Sequence, residues 1–301
     1  MVLKHIVTQE EAGTALLLIL RRSMGLSSAA VKALKRHGGL EVDGVLRFTT
    51  YLVSPGEVVT ADVTQGQNQG DNIPETGPLE VLWEEEGLLA VNKPAGLIVH
   101  PTHSRNHGTL ANFVAGYLEQ TGQRPTCHIV NRLDRDTSGL VLFAKNAYMK
   151  DWAQKAVSTG EKWYTALAFG TLTPPCGEIC LPIRRLAPRD MYRIVAEDGK
   201  SATTQYETLE VKTVEGQAYS LLNIRLITGR THQIRVHSLA CGAPLLGDPL
   251  YFTPESSAFA QTLGLDHQLL HSHRLCFRHP FSGEDILLEA PIRDAKFQGL
   301  L

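Results

Sequence analysis

The sequence predicts an α+β protein: a large mixed, mostly antiparallel sheet with packed helices, preceded by a small α/β unit. Three observations lead there. Runs rich in aromatic and branched residues recur at 163–169, 202–211, 219–226 and 286–292, the composition of strands. Only a few helical patterns are interspersed among them, which favours a sheet with helices laid on it. Finally, residues 65–78 read QGQNQGDNIPETGP, with Ile73 the one large apolar side chain. Such a stretch cannot support a packed core and reads as a linker. It divides the chain of 301 residues into units at 1–64 and 79–301.

In the first unit, the leucines of residues 12–24 have helical spacing. Ser27 and Ser28 can cap a second helix over 29–38, where a hydroxyl accepts from the free amides of the first turn and Gly38 stops it. Residues 40–45 form a strand with an Asp43-Gly44 turn, and 51–63 a hairpin-like pair. Lys32, Lys35 and Arg36 put positive charge on the second helix. In the second unit, 79–93 offers two short strands, 109–120 an amphipathic helix, 140–144 a strand and 147–158 a helix. Residues 231–240 open a further helix.

Composition sets limits. The chain is 43% apolar and 20% charged, with a formal net charge of -2, an ordinary globular balance rather than that of a strongly basic nucleic-acid binder. Any RNA binding must therefore rest on local patches. Five cysteines at irregular spacing read as reduced thiols of a cytoplasmic protein. Cys176 and Cys180 have no second pair to complete a zinc site. His232 and His237 are five apart, not the i, i+4 spacing of one helix face, so no metal is expected. The N-terminus lacks the apolar core of a signal peptide, and no run approaches the ~20 apolar residues that span a bilayer.

The most informative run is HIVNRLDRDTSGLVLFAKN, residues 128–146. Asp134 lies between Arg132 and Arg135, before a Thr-Ser-Gly turn and an apolar strand. A carboxylate among cations at a strand edge stays ionised and usable as a nucleophile. The run closely resembles the active-site motif of RluA-type RNA pseudouridine synthases, which isomerise uridine within RNA. The resemblance implies that Asp134, not Asp136, is the nucleophile, with Asp136 capping the loop. It implies that Arg132, whose guanidinium can stack on bases, fills the gap left by a flipped nucleotide. One position departs from the family: Asn131 stands where a histidine is usual, which implies altered contacts rather than lost chemistry.

Further motifs extend the likeness over about 79–292. EKWYTALAFG, residues 161–170, resembles the family's Lys-x-Tyr strand. There Tyr164 would stack on the uracil and could remove the carbon 5 proton, a task that needs its pKa moved from ~10. Lys162 would contact RNA. LITGRTHQIRVHSLACGAPLLGD, residues 226–248, implies that Arg235 pairs with Asp134, and that Arg230 and His232 support the loop or contact phosphate. VNKPAGLIVHP, residues 91–101, resembles a structural strand-turn whose Lys93 supports the active-site loop. Residues 12–64, two helices with a basic face and a short sheet, resemble the alpha-L RNA-binding module named after ribosomal protein S-four.

These readings converge on a pseudouridine synthase fold and an isomerase. It would need no cofactor, act on structured ribosomal or transfer RNA, and work as a cytoplasmic monomer. Attack at carbon 6 of the base and at carbon 1′ of the ribose both stay open. One rival is a non-catalytic RNA-binding protein that keeps the fold. Another is a glycoside hydrolase using Asp134 and Asp136, although such enzymes usually draw their carboxylates from separate strands.

Overall fold

The computed structural model of the chain describes residues 1–63, 72–102, 106–279 and 282–301. The N-terminal part contains β1 (Val2–Ile6), α1 (Leu16–Leu18), α2 (Ser28–His37), β2 (Leu40–Val42), β3 (Val45–Leu46) and β4 (Val58–Asp62). Its sheet has the order β1-β4-β2-β3. α2 starts where expected: the Ser27 side chain accepts from the Ala30 amide, and Gly38 at φ +78° closes the helix. Val31 and Leu34 face the core, while Lys32, Lys35 and Arg36 are exposed.

Three local expectations need correction. The helix over 12–24 shrinks to α1 and a π turn at Ile19–Ser23. The amides of Leu16 and Leu17 donate to the carbonyls of Tyr51 and Thr49, so a tertiary neighbour takes the bonds a longer helix would have used. The pair over 51–63 is the single strand β4 plus an isolated bridge between Ala15 and Leu52. β1 was not anticipated; it pairs with β4 from Val2↔Asp62 to Ile6↔Val58.

The larger part comprises β5 (Glu80–Glu84), β6 (Leu88–Lys93), α3 (Leu110–Gln120), β7 (His128–Ile129), β8 (Ser138–Ala144), α4 (Ala147–Thr159) and β9 (Glu161–Phe169). Then follow β10 (Cys176–Cys180), β11 (Ile183–Arg185), β12 (Arg193–Val195), β13 (Thr203–Val214), β14 (Gln217–Leu226) and α5 (Gln233–Ala240). The chain ends with α6 (Pro254–Thr262), β15 (Leu270–Arg278), β16 (Asp285–Glu289) and α7 (Ala295–Leu300). Ten strands form one sheet in the order β10-β13-β14-β9-β15-β8-β6-β5, with β16 added to β15 and β7 to β8. β8 and β15 are parallel, and every other pairing in this sheet is antiparallel. The mixed, mostly antiparallel α+β sheet is therefore as the sequence predicted.

β6 and β8 are buried along their whole length, which explains their nearly unbroken apolar runs. α3 covers one face of them through Leu110, Val114 and Leu118, against Leu89, Val91 and Phe143. α4 covers the other through Tyr148, Met149 and Ala153, and this core continues into Leu20 and Val59 of the N-terminal part. The Tyr148 hydroxyl donates to the Met24 carbonyl at 2.7 Å. Part of the expected linker, residues 65–71, lies outside the described residues. The remainder is tied to the larger part: Asn112 Nδ2 donates to the Ile73 carbonyl at 2.9 Å.

Candidate active site

The parallel pairing of β8 with β15 sets Ser138 opposite His271 and Gly139 opposite Ser272. The loop 130–137 that leads into β8 is thereby fixed beside the centre of the sheet. Gly139 is required there. It sits at φ +112°, and a Cβ would come within 2.2 Å of the Ser272 carbonyl oxygen. Lys93, fully buried, anchors the loop from below: Nζ donates to the carbonyls of Pro94, Leu97 and Arg135 at 2.7–2.9 Å. Burial pushes its pKa down to about 7, while three carbonyl acceptors, one for each N–H, favour the ammonium form.

Asp134 projects from this loop into a cavity of about 580 Å³. Its Oδ2 lies 3.2 Å from Arg235 Nη1 and 3.8 Å from His232 Nε2. Among the described residues Oδ1 accepts no hydrogen bond. Arg235 is buried on α5 and also forks onto Asp248, Nε to Oδ2 and Nη2 to Oδ1, both at 2.7 Å. Burial opposes the charge on Arg235, but the two carboxylates outweigh it and raise its pKa. Asp248 in turn accepts from the amides of Leu250 and Tyr251. The arginine is thus held from behind by one carboxylate and offers its remaining edge to the other.

The neighbours expected to flank Asp134 do something else. Arg135 turns to Asp136 in a two-bond pair at 2.8 and 2.9 Å. Arg132 is exposed at the cavity rim. The cation beside Asp134 is Arg235, 101 positions away in the sequence; a turn closed by the Thr137 amide on the Asp134 carbonyl follows Asp134, and within it Arg135 pairs with Asp136 instead. Asn131 serves the backbone: Oδ1 accepts from the Leu142 amide at 2.7 Å and Nδ2 donates to the Leu140 carbonyl at 3.1 Å.

Tyr164, Lys162, Arg230 and His232 line the same cavity as Asp134, Arg132 and Arg235. Lys32, Lys35 and Arg36 are not among its lining residues. Burial pushes the Tyr164 phenol up to about 12, with the Asp134 charge adding to the rise and Ser272 opposing it. That is opposite to the shift a base needs, so Tyr164 stays protonated at neutral pH. Burial lowers the pKa of Lys162. It also lowers that of His232, against the pull of Asp134. Gln233 pins the loop before α5: its Oε1 accepts from the Arg230 amide and the Thr228 hydroxyl.

Several lining or supporting residues were not singled out from the sequence: Asp248, Tyr251, Gln233, Arg185 and Arg193. Asp248 closes the motif that contains Arg235, which was its one available signal. Arg185 and Arg193 come from β11 and β12, a two-stranded ribbon apart from the main sheet. With them, six Lys and Arg residues line the cavity, against the single carboxylate of Asp134. A larger cavity of about 990 Å³ lies on the other side of the loop, past Arg135 and Asp136. Its cations are largely matched by acids, as in Arg293 with Glu80, and Asp134 is not part of it.

A family model described as RNA pseudouridylate synthase matches residues 87–240, the stretch that carries Asp134, Tyr164 and Arg235. The chain belongs to that family. Its likeness to relatives covers most of its length. Ribosomal large subunit pseudouridine synthase D of Nitrosomonas europaea is 38% identical over 259 residues, which is 85% of this chain and 74% of that protein. An RNA pseudouridine synthase of Bacillus subtilis, YhcT, is 32% identical over 96% of this chain and 93% of its own. Among solved structures, human RNA Pseudouridylate Synthase Domain Containing 1 superposes with a TM-score of 0.59 at 24% identity, covering 72% of this chain and 86% of that one. That likeness shows the fold. As a pseudouridine synthase the chain is an isomerase that acts on RNA. Among the described residues no helix is long and apolar enough to cross a membrane.

Proposed function

We propose that this pseudouridine synthase converts specific uridines of structured RNA, in the first place large-subunit ribosomal RNA, with Asp134 as its nucleophile. The supporting observation is the asymmetric hold on Asp134. Oδ2 is engaged by Arg235 at 3.2 Å, while Oδ1 accepts no hydrogen bond among the described residues, and Asp134 lines a cavity whose other charged lining is cationic. Such a cavity suits a nucleotide carried on phosphates. The ribosomal substrate rests on relatives named ribosomal large subunit pseudouridine synthase D, at 35–38% identity. The reaction breaks the bond from ribose carbon 1′ to base nitrogen 1 and makes one to carbon 5. Carbon 5 loses a proton and nitrogen 1 gains one, so nothing is oxidised and no cofactor enters the balance.

The base must leave its stack to be reached. Arg132, exposed and among the cavity's lining residues, would fill the vacated space. Tyr164 offers its ring to the uracil, a contact worth ~1–3 kcal/mol, and Arg235 orients Asp134. Lys162, Arg230 and His232 contribute to RNA contact within the cavity. Lys32, Lys35 and Arg36 form a second, peripheral RNA contact on α2, within an alpha-L module over residues 1–64. The protein would act in the cytoplasm as a monomer.

The test uses RNA labelled with tritium at uridine carbon 5, from a strain lacking this gene. Release by the wild type and none by Asp134→Asn, with RNA binding retained, is the expected result. Near-normal release by Asp134→Asn would remove Asp134 from its role. Binding without release by the wild type would point to the non-catalytic rival, and release confined to the transfer RNA fraction would replace the ribosomal substrate.

A further inference from the structure

Behind the site lies a polar contact that the reading above does not use. The Tyr251 hydroxyl lies 2.8 Å from His232 Nδ1 and 2.8 Å from the backbone nitrogen of Arg193 on β12. The amide of Arg193 can only donate, so it occupies a lone pair of the hydroxyl. The hydroxyl has one proton to give, and among the described residues His232 Nδ1 is the acceptor within reach. With the hydroxyl as donor to Nδ1, the proton of the neutral imidazole is on Nε2, the nitrogen 3.8 Å from Asp134 Oδ2. The other tautomer would turn a lone pair toward the carboxylate.

We propose that Tyr251 is a positioning residue for the reaction: it fixes the His232 tautomer that presents Nε2–H to Asp134. Two more observations fit this role. His232 holds a left-handed backbone, φ +58°, at the start of α5; a non-glycine residue keeps such a conformation where its surroundings over-determine it. The Arg235 guanidinium lies over the Tyr251 ring, 5.0 Å from its centroid. One tyrosine therefore touches both partners of Asp134. It also ties them to the β11–β12 ribbon, which carries two of the cavity's arginines.

The inference rests on Asp134 as the reacting carboxylate, and its test has a readout apart from turnover. Nitrogen-15 NMR of the labelled histidines reports each tautomer, with His232 assigned by the signals that vanish in His232→Gln. The wild type should show Nε2–H. Tyr251→Phe should lose that preference and lower kcat about 10- to 100-fold, the loss of one charge-assisted contact, with KM for RNA unchanged. In the His232→Gln background, which has no tautomer to fix, Tyr251→Phe should lower kcat no further. An Nδ1–H signal in the wild type overturns the proposal, and that measurement needs no variant of Tyr251. So does an unchanged tautomer in Tyr251→Phe, or an equal loss in both backgrounds. Should Asp134→Asn turn over normally, the nucleophile reading fails while the tautomer result stands or falls separately.

Discussion

Removing Arg235 should harm the protein twice, and the two losses can be separated. The Arg235 side chain is 5% exposed and that of Asp248 0%. Arg235→Met leaves a fully buried carboxylate without its cation, a change that costs about 3–5 kcal/mol. The amides of Leu250 and Tyr251 still donate to Asp248 Oδ1, at 2.9 and 3.0 Å, so the lower end, about 3 kcal/mol, applies. At roughly 2–4 °C per kcal/mol the melting midpoint should fall by about 6–12 °C. Adding Asp248→Asn removes the orphaned charge, while its amide oxygen keeps both backbone donors. The double variant should regain most of the loss, about 2 kcal/mol, measured by urea unfolding. Neither variant should release tritium from RNA, because both lack the partner 3.2 Å from Asp134. Arg235→Met as stable as the wild type, or a double variant no better than the single, would refute the buried-pair argument. Restored turnover in the double variant would show that Asp134 does not need Arg235.

Three other perturbations bear on the same architecture. Asp136→Asn should keep tritium release within about fivefold of wild type, since its partner Arg135 is 62% exposed and such pairs contribute ~0–1 kcal/mol; loss comparable to Asp134→Asn would reopen a two-carboxylate mechanism. His273 is held from its ordinary 6.5 down to about 4, chiefly by burial. The unfolded chain therefore binds a proton there that the folded one does not, and stability should fall as pH drops from 6.5 to 4, by about 2–3 kcal/mol. His273→Asn should flatten that slope in urea midpoints, while Glu11 and Glu84, lowered to about 2, lose their contributions only below about pH 4.5. Gly139→Ala places a methyl against the backbone of Ser272 at positive φ; the cost should exceed about 3 kcal/mol, and a normal melting curve would contradict the close β8–β15 approach.

How much of this was legible in the sequence depended on whether the determining contact was local. α2 was readable because its cap, its apolar face and its glycine stop lie within a dozen residues. The helix over 12–24 was not, although its leucines are spaced for one. The buried Leu16, Ile19 and Leu20 satisfy the same pattern from a short turn whose amides bond a segment more than thirty residues on. β1 gave little signal because VLKHI alternates between exposed and half-buried positions and is placed by β4, at the far end of the unit. The site shows the same division. Asp134, Tyr164 and Arg235 sit in long motifs and line one cavity. Asp248 and Tyr251 act through Arg235 and His232, and no local pattern tells a buried supporting carboxylate from a surface one. The reading of Arg132 and Arg135 as guards of Asp134 failed for the converse reason: closeness in sequence was taken for closeness in space.

The overall charge illustrates why a whole-chain quantity is a poor guide to a local interface. A net charge of -2 argued mildly against an RNA enzyme. Yet the lining of the Asp134 cavity carries six Lys or Arg side chains and one carboxylate, and the acids that balance them lie elsewhere. Screening confines each exposed charge to roughly 8 Å at physiological salt, so an approaching phosphate meets the cations of the cavity rather than the average of the surface. The same separation protects the chemistry. A carboxylate proposed to react must not be matched by every nearby arginine, and here Asp136 occupies Arg135 while Asp248 takes one edge of Arg235 through Nε and Nη2. Nη1 remains for Asp134 Oδ2 at 3.2 Å, the contact that on the proposed reading orients the carboxylate, while Oδ1 accepts no hydrogen bond among the described residues.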